Sequence, residues 1–242
     1  MRKKNIHIFS TSQNLAAFFT RNLAVLSHSL PEGTKTSVAL SGGSTPRDIF
    51  QYISQNAVDS INWDSIQLFW GDERCVPPNH EESNYKMTLD TLLVNIPLES
   101  SGIFRIKGEN NPIEEAERYS SVVSGLLPKH KYTPAFDMVL LGLGEDGHTA
   151  SIFPPYIQLF DSKNLFASTQ NPYTGQKRIT ATGRVINNAK QVFFLVTGAS
   201  KAEMVARLIK KQEGYENLPA SKVMPESKNL LWLLDEQAAA LL

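Results

Sequence analysis

Short apolar runs alternate with helix-period segments along this 242-residue chain, and that alternation restricts the fold more than any other feature. Ile6 to Phe9 reads as a first strand, and Ser10 or Thr11 can cap a helix carrying Leu15, Phe18, Phe19, Leu23 and Leu26 on one face. Ser37-Val38-Ala39-Leu40 is a second strand that runs straight into Ser41-Gly42-Gly43-Ser44-Thr45-Pro46. A helix with Ile49, Phe50 and Ile53 follows, with Thr45 expected as its cap and Pro46 in the first helical position. Ile66 to Trp70 is the next strand, and after a polar loop Ser83 to Val94 reads as a helix, as does Pro112 to Leu127. Phe136–Leu141, Gln191–Val196 and Leu230–Leu234 are buried-type strands. A helix from about Ser200 to Lys211 separates the last two, and Asp235 is expected to cap a terminal helix.

Strands separated by helices form βαβ units, so the expected fold is α/β with a mostly parallel sheet flanked by helices. Residues 154–189 pattern more weakly and are expected to form a small lid or subdomain within one domain spanning 1–242. No internal repeat, low-complexity tract or linker divides the chain.

Charge and cysteine content narrow the partners. Lys plus Arg number 24 and Asp plus Glu number 24, so the net charge is zero and no electrostatic footprint for nucleic acid or an acidic membrane is present. No run approaches the roughly 18 apolar residues of a spanning helix. The basic start Met1-Arg2-Lys3-Lys4 leads into residues too polar for a signal-peptide core. Cys75 is the one cysteine, which excludes an intrachain disulfide and a thiolate cluster for a metal, and points to a reducing cytoplasm. The expected ligand is a small molecule, with no cofactor and no metal, and the expected state is a monomer or small homo-oligomer.

Ligand sites in parallel sheets lie beyond the carboxyl ends of the strands, which singles out the loops after Leu40, Trp70, Leu141 and Val196. In the first, Gly42 and Gly43 allow close backbone approach, Ser44 and Thr45 add hydroxyls, and a helix N-terminus offers free amides to a phosphate. A tight turn with a helix cap explains the same residues equally well. In the second, Arg74 of Gly71-Asp72-Glu73-Arg74 can fork onto a phosphate or carboxylate, or pair locally with Asp72 or Glu73. Arg178, which opens a short strand, and Lys201, in the first turn of a helix where the dipole disfavours a cation, are further candidate anion ligands. Each taken alone reads as a solvated charge.

The third loop is the most informative. Gly142-Leu143-Gly144-Glu145-Asp146-Gly147-His148 matches the spacing of a dinucleotide fingerprint, but Glu145 and Asp146 would set two negative charges against a pyrophosphate. Asp146 and His148 fit other chemistry. A carboxylate beside an imidazole fixes its tautomer and steadies its protonated form, and imidazole can take a proton from water near neutral pH. The competing reading makes His148 a cap for a following helix.

These segments together, with Ser83-Asn84-Tyr85, Asp137 to Pro154, Arg178 to Thr182, Gly198 to Lys201 and Leu230 to Asp235, resemble the 6-phosphogluconolactonase family in order over nearly the whole chain. The resemblance implies a Rossmann-like fold shared with glucosamine-6-phosphate deaminases, and hydrolysis of 6-phospho-D-glucono-1,5-lactone to 6-phosphogluconate. It implies that His148 is the base, supported by Asp146. It further implies that Gly42, Gly43, Ser44 and Thr45 cradle phosphate, and that Arg74, Arg178 and Lys201 are cationic ligands. Cys75-Val76 departs from the family, whose members more often carry a Trp after the Arg.

The rival branch is the deaminase. Those enzymes carry an acid at the position of Phe153 and a Tyr at that of Arg74, so both positions favour the lactonase. A sugar-phosphate sensor without catalysis is a reading of another class. It calls for a basic recognition helix that the sequence does not display.

Overall fold

Seven parallel strands form the central sheet of the computed structural model, which describes residues 5–29, 31, 33–97 and 99–242. The basic start at Met1 to Lys4 lies outside the described residues. In chain order the elements begin with β1 (Ile6–Phe9), α1 (Ser12–Ser29), β2 (Thr36–Leu40), α2 (Ser44–Asn56), β3 (Ile66–Trp70), β4 (Asp72–Arg74) and α3 (Asn84–Thr91). They continue with β5 (Ile103–Phe104), α4 (Pro112–Leu126), the hairpin β6 (Lys129–His130) and β7 (Thr133–Pro134), then β8 (Met138–Leu141). The last are β9 (Phe166–Gln170), β10 (Lys177–Ala181), α5 (Gly183–Ile186), β11 (Val192–Val196), α6 (Ala202–Ile209) and β12 (Leu230–Asp235).

The sheet order is β1-β12-β11-β8-β2-β3-β5, and every pairing is parallel. From β2 the chain steps outward to β3 and β5. From β8 it steps the other way, to β11 and β12. The crevice between β2 and β8 is therefore the topological switch point, where the loops beyond the two strands part and leave room for a ligand. The opposite end is pinned by polar contacts. Ser37 N–H and Oγ each donate to Asp137 Oδ2 at 2.8 Å, and Lys190 Nζ reaches Asp137 Oδ1 at 2.7 Å.

The apolar runs are buried as their pattern requires. β2, β8 and β11 are buried along their whole length, as strands covered on both faces must be. Leu15, Phe19 and Leu23 of α1 face the core, and the Phe19 ring meets Phe193 edge-on at 5.7 Å. Ile49, Phe50 and Ile53 of α2 are buried, each contributing about 1.5–3 kcal/mol of transfer free energy. Tyr119 of α4 is buried at the β3–β5 edge, where its hydroxyl accepts from Trp70 N–H and donates to the Phe104 carbonyl, both at 2.9 Å.

Several local expectations change. The α2 helix begins at Ser44 with Gly43 in the cap position, so Pro46 is third rather than first. Gly43 makes this entry with φ +107°, which a residue with a Cβ rarely adopts, and the Thr45 hydroxyl is engaged elsewhere. The helix expected from Ser83 is α3, with the Ser83 hydroxyl accepting from Lys86 N–H, and it gives way to a 3₁₀ turn at Leu93–Asn95. No helix follows Asp235. Its carboxylate accepts Ala238 N–H at 2.7 Å and Gly198 N–H at 3.0 Å, holding the last residues as turns against the loop after β11.

The weakly patterned region 154–189 holds a 3₁₀ segment (Pro154–Asp161), β9, β10 and α5. Its strands join β4 in a three-stranded antiparallel sheet of order β4-β10-β9. This small sheet packs on α4 and carries two of the candidate cations.

Candidate active site

The crevice at the switch point is a cleft of about 220 Å³. Gly42, Gly43, Ser44 and Thr45 line it from the β2–α2 turn, where the first amides of α2 have no intrahelical acceptor. Arg74 and Arg178 line it from the small sheet, Lys201 from the turn before α6, and His148 from the loop after β8. The loops expected from strand position thus meet at one place.

The loop after β8 folds tightly around the imidazole. Gly144 N–H donates to the His148 carbonyl at 2.9 Å, and the Thr149 hydroxyl donates to the Gly142 carbonyl at 2.9 Å. Gly144 leaves room for the pair: a Cβ there would lie 2.6 Å from Asp146 Oδ1 and closer still to His148 Nδ1. His148 Nδ1 lies 2.6 Å from Asp146 Oδ1, which also accepts His148 N–H at 3.1 Å. Asp146 Oδ2 accepts the Tyr173 hydroxyl at 3.0 Å. Burial works against the charge on Asp146, but the contacts with His148 and Tyr173 outweigh it and hold the carboxyl down at about 2. An ionised Asp146 accepts a hydrogen bond from Nδ1–H and so favours the tautomer that leaves Nε2 with its lone pair free. The Phe153 ring rests on the imidazole with centroids 4.4 Å apart. His148 caps no helix, because a bridge between Thr149 and Ile152 follows it.

The cation side has a different character. Arg74 and Arg178 are direct cross-strand partners, so two like charges stand together on one face of the small sheet. Arg178 is only 9% exposed, and Nε of both guanidiniums is buried without a hydrogen-bond partner. Burial and then the neighbouring Arg74 push the Arg178 pKa down, against the pull of Asp72 and other carboxylates. Such an arrangement is costly unless an anion completes it. The ion pair considered for Arg74 does not form: Glu73 Oε1 accepts only the Arg74 backbone amide, at 2.8 Å, and both carboxylates are otherwise engaged. Glu73 accepts the Asn84 and Tyr85 amides at 2.7 and 2.8 Å at the start of α3, and Asp72 Oδ2 accepts the Ser151 hydroxyl at 2.6 Å. Burial pushes the Glu73 carboxyl upward against those amides. Lys201 Nζ lies 3.7 Å from Glu145, at the cleft edge. Burial pushes the Cys75 thiol up to about 11, which leaves it a poor nucleophile.

Four residues at or beside the cleft take no site role from sequence alone, although Asp72 and Asn84 lie in segments already singled out. Asp72 and Asn84 line the cleft, with Asn84 Nδ2 donating to the Asp72 carbonyl at 2.9 Å. Thr197 shares a 2.7 Å hydrogen bond with Thr45, and its place directly after β11 was a signal available from strand position. Tyr173 arrives from the β9–β10 turn, for which no local signal exists. Among the described residues, no group of three or more His, Cys, Asp or Glu side chains is arranged to hold a metal ion, and no helix is long and apolar enough to cross a membrane.

Residues 10–232 match the family model described as glucosamine-6-phosphate isomerases/6-phosphogluconolactonase. A 6-phosphogluconolactonase of Treponema pallidum is 40% identical over 83% of this chain and 82% of its own. The crystal structure of devB protein shares 37% identity over 98% of both chains, with a TM-score of 0.91. The 6-phosphogluconolactonase of Trypanosoma brucei shares 28% identity over 98% of this chain and 97% of its own, with a TM-score of 0.83.

Proposed function

The chain belongs to the family of glucosamine-6-phosphate isomerases and 6-phosphogluconolactonases, and on that premise we propose that it hydrolyses 6-phospho-D-glucono-1,5-lactone to 6-phospho-D-gluconate, with His148 as general base. The observation that carries this reading is the pairing, across one cleft, of a carboxylate-oriented imidazole with two cross-strand guanidiniums whose Nε groups have no partner.

In this mechanism the lactone phosphate lies against Arg74 and Arg178 and the free amides of Gly43, Ser44 and Thr45, with Lys201 at the edge. Charge-assisted hydrogen bonds of this kind are strong, and the buried Arg178 beside the half-buried Arg74 is relieved when the anion arrives. His148 Nε2 takes a proton from water as the water oxygen attacks C1. The ring carbonyl oxygen becomes an oxyanion, which the amides around the cleft can meet. The tetrahedral intermediate collapses by breaking the bond from C1 to the ring oxygen, and the imidazolium returns its proton to that oxygen. Asp146 steadies the imidazolium throughout. No covalent intermediate is needed. We place the reaction in the cytoplasm, which suits a chain with a single cysteine, and assign it to residues 1–242 as one domain.

Phe153 supports the lactonase over the deaminase branch. Its ring lies against the His148 imidazole, so the position where the deaminases carry an acid supplies no proton donor or acceptor here. The test is a rate measurement on freshly prepared lactone, with spontaneous opening subtracted, beside an ammonia assay on glucosamine-6-phosphate. Lactone opening well above the spontaneous rate, with no ammonia released, is expected. Lactone opening no faster than in buffer, or ammonia release at a comparable rate, overturns the assignment.

A further inference from the structure

Tyr173 sits at the tip of the β9–β10 turn, where tyrosine has no evident structural reason to be. The residue is 71% exposed, and its hydroxyl makes one hydrogen bond, to Asp146 Oδ2. The turn that carries it is well tied. Asn171 Oδ1 accepts the amides of Tyr173 and Thr174 at 2.9 and 3.2 Å, and Gly175 N–H donates to the Asn171 carbonyl at 2.8 Å. Gln176 Nε2 donates to Glu82 Oε2 at 2.8 Å, and the Glu82 carbonyl in turn accepts Arg74 Nη1 at 2.6 Å. One turn therefore touches the base side of the cleft directly and is linked to the cation side through Glu82.

The contacts around the base close into a ring. The Tyr173 ring meets Phe153 edge-on at 6.5 Å, and Phe153 rests on the imidazole at 4.4 Å. The phenol returns to the same imidazole through Asp146. Without the phenol, Oδ2 of Asp146 is left to water and only the contacts of Oδ1 with the His148 amide and imidazole restrain χ2, a soft torsion. With it, one oxygen is committed to Tyr173 and the other to His148. A pre-organised turn places the phenol at little entropic cost, and an ionised acceptor strengthens the bond.

We propose that Tyr173 is a positioning residue for the reaction, its phenol holding the Asp146 carboxylate, and through it the His148 imidazole, from the rim of the cleft. The proposal rests on the lactonase reading for its kinetic consequence but not for its structural one. Tyr173→Phe keeps the ring and removes the phenol at an exposed site. It should lower kcat by about threefold to tenfold, the range of an ordinary hydrogen bond, with KM within about twofold. In an Asp146→Asn background the same substitution should have no further effect, since its route is already cut. The His148 Nδ1 proton, followed by NMR in the substrate-free protein, should exchange with water several-fold faster in Tyr173→Phe than in wild type. Unchanged exchange overturns the proposal whatever the rates, and so does an unchanged kcat or a full additional loss on Asp146→Asn in an active enzyme. If the wild type opens no lactone, the functional reading fails by itself, and the proton-exchange comparison still decides whether Tyr173 holds the pair.

Discussion

Replacing Gly144 by alanine should disable the His148–Asp146 pair while leaving the fold standing. The backbone at Gly144 is not in the left-handed region, so alanine fits its dihedral angles. The conflict is with side chains alone. The new methyl would lie 2.6 Å from Asp146 Oδ1 and nearer still to His148 Nδ1 and Cε1. Non-bonded heavy atoms settle at about 3.5–4.0 Å, so the imidazole and carboxylate must each retreat by roughly 1 Å or more. Their bond is 2.6 Å long and cannot survive that retreat from a wedge set between them. Both side chains border open cleft or solvent, so they can swing away and the cost to folding is small, about 1–2 kcal/mol. A misplacement of about 1 Å at a reacting group costs on the order of a hundredfold in rate, and the loss should fall on kcat. The assay is lactone opening with the spontaneous rate subtracted, alongside thermal unfolding to verify the fold. A folded Gly144→Ala protein with kcat within about threefold of wild type would refute the reasoning, because it would show that the pair need not be intact.

Three other perturbations read the same site. His148→Asn should lower kcat by roughly a hundredfold or more, while binding of 6-phosphogluconate, measured by calorimetry, changes little. Arg178→Met should raise KM by about tenfold to a hundredfold while leaving thermal stability unchanged or higher, since it removes a buried cation beside Arg74; by the same logic unphosphorylated gluconolactone should be a poor substrate, and equal kcat/KM for the two lactones would contradict it. Asp146 bears on acid stability: its folded pKa of about 2 lies below the ordinary 3.8, so its stabilising contribution is full above about 4 and is lost as the pH falls toward 2. Urea unfolding of Asp146→Asn should therefore change less between pH 4 and pH 2 than that of wild type.

Much of this protein was legible in its sequence because the relevant physics is local. Continuous apolar runs of four to six residues separated by helix-period stretches leave a chain little choice but parallel βαβ units. The position of a loop after such a strand then predicts which residues gather at the cleft. That rule led to the Gly42–Thr45 turn and to Asp146 and His148, and it would have led to Thr197.

What the tertiary structure decided was everything that depends on distant segments meeting. Arg74 and Arg178 each look like an ordinary solvated charge. They stand side by side because β4 and β10 pair in antiparallel register, which buries Arg178 and half-buries Arg74, and this is what supports the proposed anion site. Asp72 and Glu73 looked like partners for Arg74, but Ser151 and the first amides of α3 take them instead. Tyr173 reaches Asp146 from a turn 27 residues further along the chain, and the Thr45 hydroxyl finds Thr197 rather than its own helix. Periodicity and turn chemistry act over a few residues and are written into the sequence. The choice of partner for a charge or hydroxyl is settled by which groups the packed sheets bring within about 3 Å, and one residue's surroundings in sequence carry no record of that.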